Sequence, residues 1–425
     1  MRDGGRLSAA IEILTEVETR HRPVKLALKA WGDASRFAGA KDRAWISGLV
    51  LEVLRRRRSL AWRMGDDSPR AAALCALHVL WNWPVERIAE AAAEAPHGPG
   101  LLTPAERAAL VQPRDMAEAP APVRGDYPDW LEASFDRAFG GEAAQQGEML
   151  AERAPVDLRV NTLKTSMDQA LKALAPLHAA PTGVLPNALR IPPPDPSQRS
   201  QSLEAAPAFS KGWFEVQDLA SQIAAEAAGD IKGAQVLDLC AGGGGKTLAL
   251  AAAMANTGQI YAYDSDGRRL ADTVRRSERA GVRNLQVRSP IYPDALKGLD
   301  GAMDVVFIDA PCTGTGAWRR HPDTKWRLKP ATLKQRMADQ DAVLDQAVGF
   351  LKPNGRLIYV TCSVLPEENE DRVGAFLERH PGYLPIAATN HPHLVQHLTD
   401  EGYLRLSPHS SGTDGFFVAV LQRSN

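Results

Sequence analysis

Apolar and polar positions change rhythm twice along the chain. Within residues 7–93, apolar side chains recur at i, i+3 and i+4 over 7–17, 24–29, 42–60 and 69–81, the period of helices with one buried face. This predicts an all-helical domain over 1–130. The stretch 96–128 (PHGPG, QPRD, APAPVRGDYP) is rich in Pro and acidic groups and predicts a linker or a loose crossing. A further amphipathic helix is expected at 127–139. From Val156 the texture shifts to a small α+β subdomain over 155–212, with a strand in DLRVNTLK, a helix at 168–177, an irregular loop in IPPPDPSQRSQ, and KGWFEVQD leading into the next helix. The domain boundaries so drawn are 1–130, 131–212 and 213–425. Beyond residue 234 the pattern becomes regular. Strands at 235–240, 259–264, 285–288, 303–308 and 356–361 alternate with helices at 247–255, 267–280, 331–351 and 367–380. The strands are almost continuously apolar, as strands covered on both faces must be, so an α/β, doubly wound parallel sheet is predicted. YLRLSPH and GFFVAVLQ, on either side of 410–414, predict a closing hairpin.

Two of the apolar runs end on a cysteine. VVFIDAPCTGTG carries Asp309 and Cys312, and GRLIYVTCS carries Cys362. Open α/β sheets bind ligands beyond the carboxyl ends of their strands, so both thiols are expected at one working edge. A third run, VLDLCAGGGGKT, passes from a strand through glycines into a helix start, where backbone approach is easy and N–H groups are unpaired. It is not a P-loop, because Cys240 stands where GxxxxGKT needs its first Gly, and Thr247 breaks GxGxxG. Nucleoside triphosphate hydrolysis is therefore disfavoured. Asp264, closing the next strand, stands where ribose hydroxyls are caught in such sheets. A glycine turn and a ribose carboxylate without the dinucleotide fingerprint suit S-adenosylmethionine better than NAD.

Composition adds limits. With 44% apolar and 24% charged residues and a net charge of −1, the chain reads as a globular protein without a global preference for nucleic acid. Charge is uneven, however: residues 1–64 carry 14 Lys and Arg against 7 Asp and Glu. The run Arg55–Arg58 reads either as a solvated helix end or as a contact for RNA phosphates. The segment WRRHPDTKWR mixes cations with aromatics, as surfaces that track phosphates and stack unpaired bases do, or is an ordinary exposed loop. No apolar run is long enough to cross a membrane and no signal-peptide core precedes the first helix, so a cytoplasmic location without a membrane partner is expected. Cys75, Cys240, Cys312 and Cys362 form no CxxC pair, so free thiols and no metal are expected. A monomer is expected.

In this order, DLCAGGGGKT, YDSD, DAPCTGTG, TCSVLPEEN and DGFFVAVL resemble the RNA cytosine-5 methyltransferases of the Nol1/Nop2/Sun family. RVNTLK and FEVQDLASQ resemble its linker and core-entry segments, and the helical part resembles the NusB-like domain of bacterial members that modify small-subunit (16S) ribosomal RNA. The resemblance implies a Rossmann-like methyltransferase sheet, S-adenosylmethionine as cofactor and RNA as partner. It makes Cys362 the nucleophile that adds to C6 of cytosine, Asp309 the group that holds and protonates the base, and Cys312 the residue needed to release the product. Cofactor contacts are expected from Asp238, Cys240, Ala241, Gly242, Gly243, Gly244, Gly245, Lys246, Asp264 and Asp309. RNA contacts are expected from Arg159, Asn161, Lys164, Arg319, Arg320, Lys325 and Arg327. Gly242-Gly243 replaces the usual Ala-Pro and implies a more flexible turn, and Asp294 is a displaced candidate for the adenine contact. Competing readings are a DNA cytosine-5 methyltransferase, with Cys312 as attacker, and a non-catalytic rRNA-binding assembly factor.

Overall fold

The computed structural model describes residues 1–193, 195–197 and 202–424, which divide into two units. Of the irregular loop expected over 191–201, residues 194 and 198–201 lie outside the described residues.

The first unit comprises Met1–Arg153, residues 195–197 and Trp318–Leu328. Its helices include Asp3–Arg20, Val24–Ala34, Ala40–Arg55, Arg57–Met64, Pro69–Val79 and Val85–Ala93. Their apolar stripes meet in one core around Leu7, Ile13, Leu14, Leu49, Leu74 and Ile88. Local chemistry sets the ends: Ser68 accepts a hydrogen bond from the Ala71 N–H ahead of Pro69, and Thr103 and Glu106 form a capping box that starts a helix at Pro104. The supposed linker is thus partly helical, and its Asp126 is fully buried, accepting from the N–H groups of Arg58 and Ser59 and from the Ser59 hydroxyl at 2.6 Å.

The arginine run is not a freely solvated helix end. The helix breaks at Arg56, and each side chain is taken up within the unit. Arg55 is buried and donates to the Arg319 carbonyl, Arg56 pairs with Glu152, Arg57 with Glu18 at 3.1 Å, and Arg58 with Asp129. Three of the four cations in this row are answered by carboxylates distant in sequence, and the fourth by a backbone carbonyl.

WRRHPDTKWR is likewise not an exposed loop. Trp318 is 1% exposed and stacks on Phe135 with centroids 6.0 Å apart. Lys325, also 1% exposed, donates to the Arg55 carbonyl at 2.8 Å, and Trp326 Nε1 to the Leu54 carbonyl at 2.6 Å. Burial lowers the Lys325 ammonium to about 7, partly opposed by Asp126.

The second unit holds two sheets. β1 (Val156–Val160), β2 (Ala180–Pro181), β3 (Ala188–Ile191) and β4 (Phe214–Val216) form an antiparallel sheet in the order β2-β3-β1-β4. The larger sheet contains β5 (Gln235–Asp238), β6 (Gln259–Tyr263), β7 (Leu285–Arg288), β8 (Met303–Asp309), β9 (Leu351–Thr361), β10 (Tyr383–Ile386), β11 (Leu404–Leu406) and β12 (Phe416–Arg423). Its order is β10-β12-β9-β8-β5-β6-β7, with β11 also pairing with β12. The five strands expected from the sequence pair in parallel, whereas β12 runs antiparallel to β9, β10 and β11. The closing hairpin is present, with Leu404 opposite Val418; β10 was not anticipated. Because β5 has β6 on one side and β8 on the other, the chain reverses direction across the sheet there, which opens a crevice at the strands' carboxyl ends. Buried faces of Val236, Val305, Phe307, Ile358 and Val418 on one side, and Leu237, Val306, Leu357 and Phe417 on the other, fix the sheet between two apolar layers.

Candidate active site

β8 and β9 lie side by side with Asp309 opposite Val360, so the residues just past their ends arrive together. Cys312 Sγ and Cys362 Sγ are 3.3 Å apart. The hydrogen bond to Cys362, with burial and nearby carboxylates, raises the Cys312 thiol well above its ordinary value. Backbone packing holds the two turns in place. Gly316 N–H donates to the Cys362 carbonyl at 3.0 Å, and Gly415 N–H donates to the Gly316 carbonyl at 2.9 Å. The crossing is so close that a Cβ on Gly316 would stand 2.0 Å from the Gly415 oxygen. This gives the two glycines of TGTG and DGFF a steric reason to lack side chains.

Asp309 Oδ2 lies 2.7 Å from Lys246 Nζ, whose ammonium also sits 5.1 Å from the centre of the Phe416 ring. Asp238, at the end of β5, is fully buried and accepts from the Thr247 hydroxyl at 2.6 Å; burial chiefly, and Asp309 in addition, raise its carboxyl to about 7. The glycine turn is tied down more than bare glycines suggest. Gly242 N–H donates to Asp264 Oδ2 at 2.8 Å, and Gly244 N–H to the Ala241 carbonyl. From the helix Gly267–Ala280, Thr273 donates to the Gly242 carbonyl at 2.9 Å and Arg276 to the Gly243 carbonyl at 2.5 Å. Arg276 and Arg279 are both anchored on the buried Glu215 of β4, at 2.9 and 2.6 Å. Thus the loose turn expected from Gly242-Gly243 is instead braced by its neighbouring helix. Glu215 and Arg276 carried no signal beyond their place in FEVQD and in an amphipathic helix.

A cavity of about 630 Å³ opens at these strand ends, lined among others by Cys240, Asp264, Arg269, Asp309, Cys312 and Cys362. That size suits a nucleoside-sized cofactor. Two carboxylates facing one cavity also suit a cationic sulfonium and ribose hydroxyls. Cys240 lines it with a thiol raised by burial, while Cys75, in the helical core, is pushed up to about 12. Asp294 is exposed and is not among the lining residues.

Most of the basic residues expected to meet RNA have structural partners. Arg159 is buried on β1 and donates to Gln217 Oε1 at 2.7 Å, and Asn161 donates to the carbonyls of Gly212 and Ala280, both at 2.8 Å. Arg319 and Lys325 are buried in the first unit, and Arg327 pairs with Asp323 at 3.1 Å. Arg320 is half-buried, and Lys164 is exposed. Among the described residues no cluster of His, Cys, Asp or Glu could hold a metal, and no helix is long and apolar enough to cross a membrane.

Known proteins resemble the chain in sequence and in fold. The family model described as 16S rRNA methyltransferase RsmB/F matches residues 230–422, and that of the RsmF/B-like ferredoxin-like domain matches residues 127–197. The ribosomal RNA small subunit methyltransferase B of Erwinia tasmaniensis is 32% identical over 421 residues, covering 91% of this chain and 92% of its own. A probable ribosomal RNA small subunit methyltransferase B of Synechocystis is 32% identical over 304 residues, 70% of this chain and 67% of its own. Among solved structures, a methyltransferase homologue from Pyrococcus horikoshii matches with a TM-score of 0.60 at 27% identity, over 73% of this chain and 100% of that one. NSun6 from Pyrococcus horikoshii, solved with SFG, matches in fold with a TM-score of 0.61 at 22% identity, over 70% and 98%.

Proposed function

Because the chain belongs to the RsmB/F family of 16S rRNA methyltransferases, we propose that it forms 5-methylcytosine in small-subunit ribosomal RNA through a covalent bond between Cys362 and C6 of the target base. The observation that carries this reading is the thiol pair at 3.3 Å beside Asp309 in one cavity. Methylation of an exocyclic nitrogen or a ribose oxygen needs no protein nucleophile, whereas C5 of cytosine must first be activated. S-adenosylmethionine supplies the electrophilic methyl group, and Asp264 with the braced glycine turn would hold it.

The chain's own residues then divide the work. Cys362 thiolate adds to C6, the C5–C6 π electrons shift through the ring to N3, and N3 takes a proton held between Asp309 and Lys246. C5 is now enamine-like and bonds to carbon. Once Cys362 is a thioether, Cys312 gives its own proton to solvent, and its thiolate takes the C5 proton. The C–H electrons re-form C5=C6, the sulfur of Cys362 leaves with the C6–S electrons as thiolate, and N3 returns its proton to the Asp309–Lys246 pair. Both faces of the ring are used, so the cytosine must be unpaired or flipped out. We assign the helical unit and the four-stranded sheet to guiding the RNA.

The test is a pair of variants incubated with 16S RNA and donor. Cys312→Ala should leave RNA bound covalently on a denaturing gel, and adding Cys362→Ser should abolish that band. A band that survives without Cys362, or no band with Cys312→Ala, would overturn the reading. Bisulfite sequencing of RNA from cells with and without the gene checks the target.

A further inference from the structure

The turn after β9 places two consecutive residues, Glu368 and Asn369, between the cysteine loops. Both are buried, at 0% and 4% exposure. Glu368 reaches the residues on either side of Cys312: it accepts from Thr313 N–H at 2.8 Å and from the Thr313 hydroxyl. It also accepts at 3.0 Å from Gln340 Nε2, which donates at 2.9 Å to the Pro311 carbonyl. Asn369 does the same for Cys362. Its Oδ1 accepts from the Thr361 hydroxyl at 2.5 Å, and its Nδ2 donates to the Ser363 carbonyl at 3.0 Å. Each cysteine is therefore gripped through both chain neighbours, and the two grips are separated by a single peptide bond.

We propose that Glu368 and Asn369 are a positioning pair that sets the spacing of the two thiols, Asn369 serving attack by Cys362 and Glu368 serving product release through Cys312. This rests on the roles given to the two cysteines above. A buried carboxylate is costly to keep, and packing alone would be served better by an apolar side chain. Its acceptors are instead filled by donors that fix the direction of one loop. Displacement of a reacting group by about 1 Å costs on the order of 100-fold in rate. The device therefore matters to two different chemical steps, and loosening one grip should slow one step alone.

Isosteric variants separate the two. Glu368→Gln keeps the volume and one acceptor oxygen for Thr313 N–H and Gln340 but removes the charge that strengthens these bonds, and its new amide donor forces the Thr313 hydroxyl to turn and accept. Asn369→Asp keeps the acceptor for Thr361 but loses the donor to Ser363. With 16S RNA and S-adenosylmethionine, Glu368→Gln should raise the covalently trapped fraction about tenfold over wild type and lower kcat about tenfold, with KM for RNA nearly unchanged. Asn369→Asp in the Cys312→Ala background should lower the trapped fraction about tenfold. A general loss of fold would depress trapping in both variants, so the opposite signs distinguish positioning from stability. Thr313→Val and Thr361→Val, each removing one bond of one grip, must repeat the two signs; they decide the matter if either isostere fails to fold. If Cys312→Ala alone traps no RNA, the proposed function itself fails. If it traps RNA but Glu368→Gln releases product at the wild-type rate, or Asn369→Asp traps as well as its parent, the positioning role is overturned.

Discussion

The buried carboxyl of Asp238 makes a quantitative prediction about stability. It is fully buried at the end of β5, and among the described residues its one hydrogen-bond donor is the Thr247 hydroxyl. Its value rises from 3.8 to about 7, first because burial penalises the charge and then because Asp309 and Asp264 lie nearby. Between those two values the folded protein keeps a proton that the unfolded chain has released. Stability must then fall as pH rises through that window. At about 1.4 kcal/mol per pH unit, the stretch from pH 5 to 7 amounts to about 3 kcal/mol, and the loss is complete above pH 7. Asp238→Asn cannot ionise and should not show it. Urea unfolding of both proteins at pH 5 and pH 8, at one ionic strength, measures the difference. The variant should gain about 3 kcal/mol relative to wild type between the two pH values. Parallel behaviour would mean that Asp238 is already charged at pH 5, and the assignment of its burial as the dominant influence would be wrong.

Other substitutions test other parts of the structure. Gly316→Ala puts a methyl 2.0 Å from the Gly415 oxygen and should cost about 1–3 kcal/mol with loss of methyl transfer; a wild-type melting temperature would show that the crossing can open freely. Glu215→Gln leaves Arg276 and Arg279 without their buried countercharge and should destabilise by about 3 kcal/mol. It should also weaken donor binding in calorimetry, since Arg276 braces the glycine turn, and unchanged affinity would dissociate the two. Lys325→Ala should lower thermal stability while leaving the salt dependence of RNA binding as in wild type, because a buried ammonium releases no counterion; a slope smaller by about one would restore Lys325 as a phosphate contact.

What could be read from the sequence depended on the kind of signal. β7 and the helix Gly267–Ala280 matched to the residue, because an apolar run and an amphipathic period are local properties. The thiols were placed at one edge because parallel strands deliver their carboxyl ends together, although the 3.3 Å between them depends on register. Charge misled. Arg55–Arg58 and the segment around Lys325 read as exposed charge from composition, but burial is decided by partners far along the chain: Glu18, Glu152, Asp129 and the carbonyl of Arg55. The two tryptophans flanking Lys325 were the available sign that this segment packs inward. Glu368 and Asn369 stood in plain view in TCSVLPEEN, but only the fold shows which neighbours they grip. β10 escaped notice because four residues at a sheet edge carry too weak a pattern.

The sulfur pair also has a redox consequence. A disulfide needs its sulfurs at roughly 2.05 Å, so closure from 3.3 Å asks for little more than roughly 1 Å of approach. If a peroxide oxidises Cys362 to the sulfenic acid, Cys312 is the nearest thiol and can displace water before a second oxidation reaches the irreversible sulfinic state. With Cys362 as the proposed nucleophile, the site would thereby carry its own protection: activity lost to mild peroxide should return with a dithiol, and a chain with Ala at 312 should lose Cys362 for good.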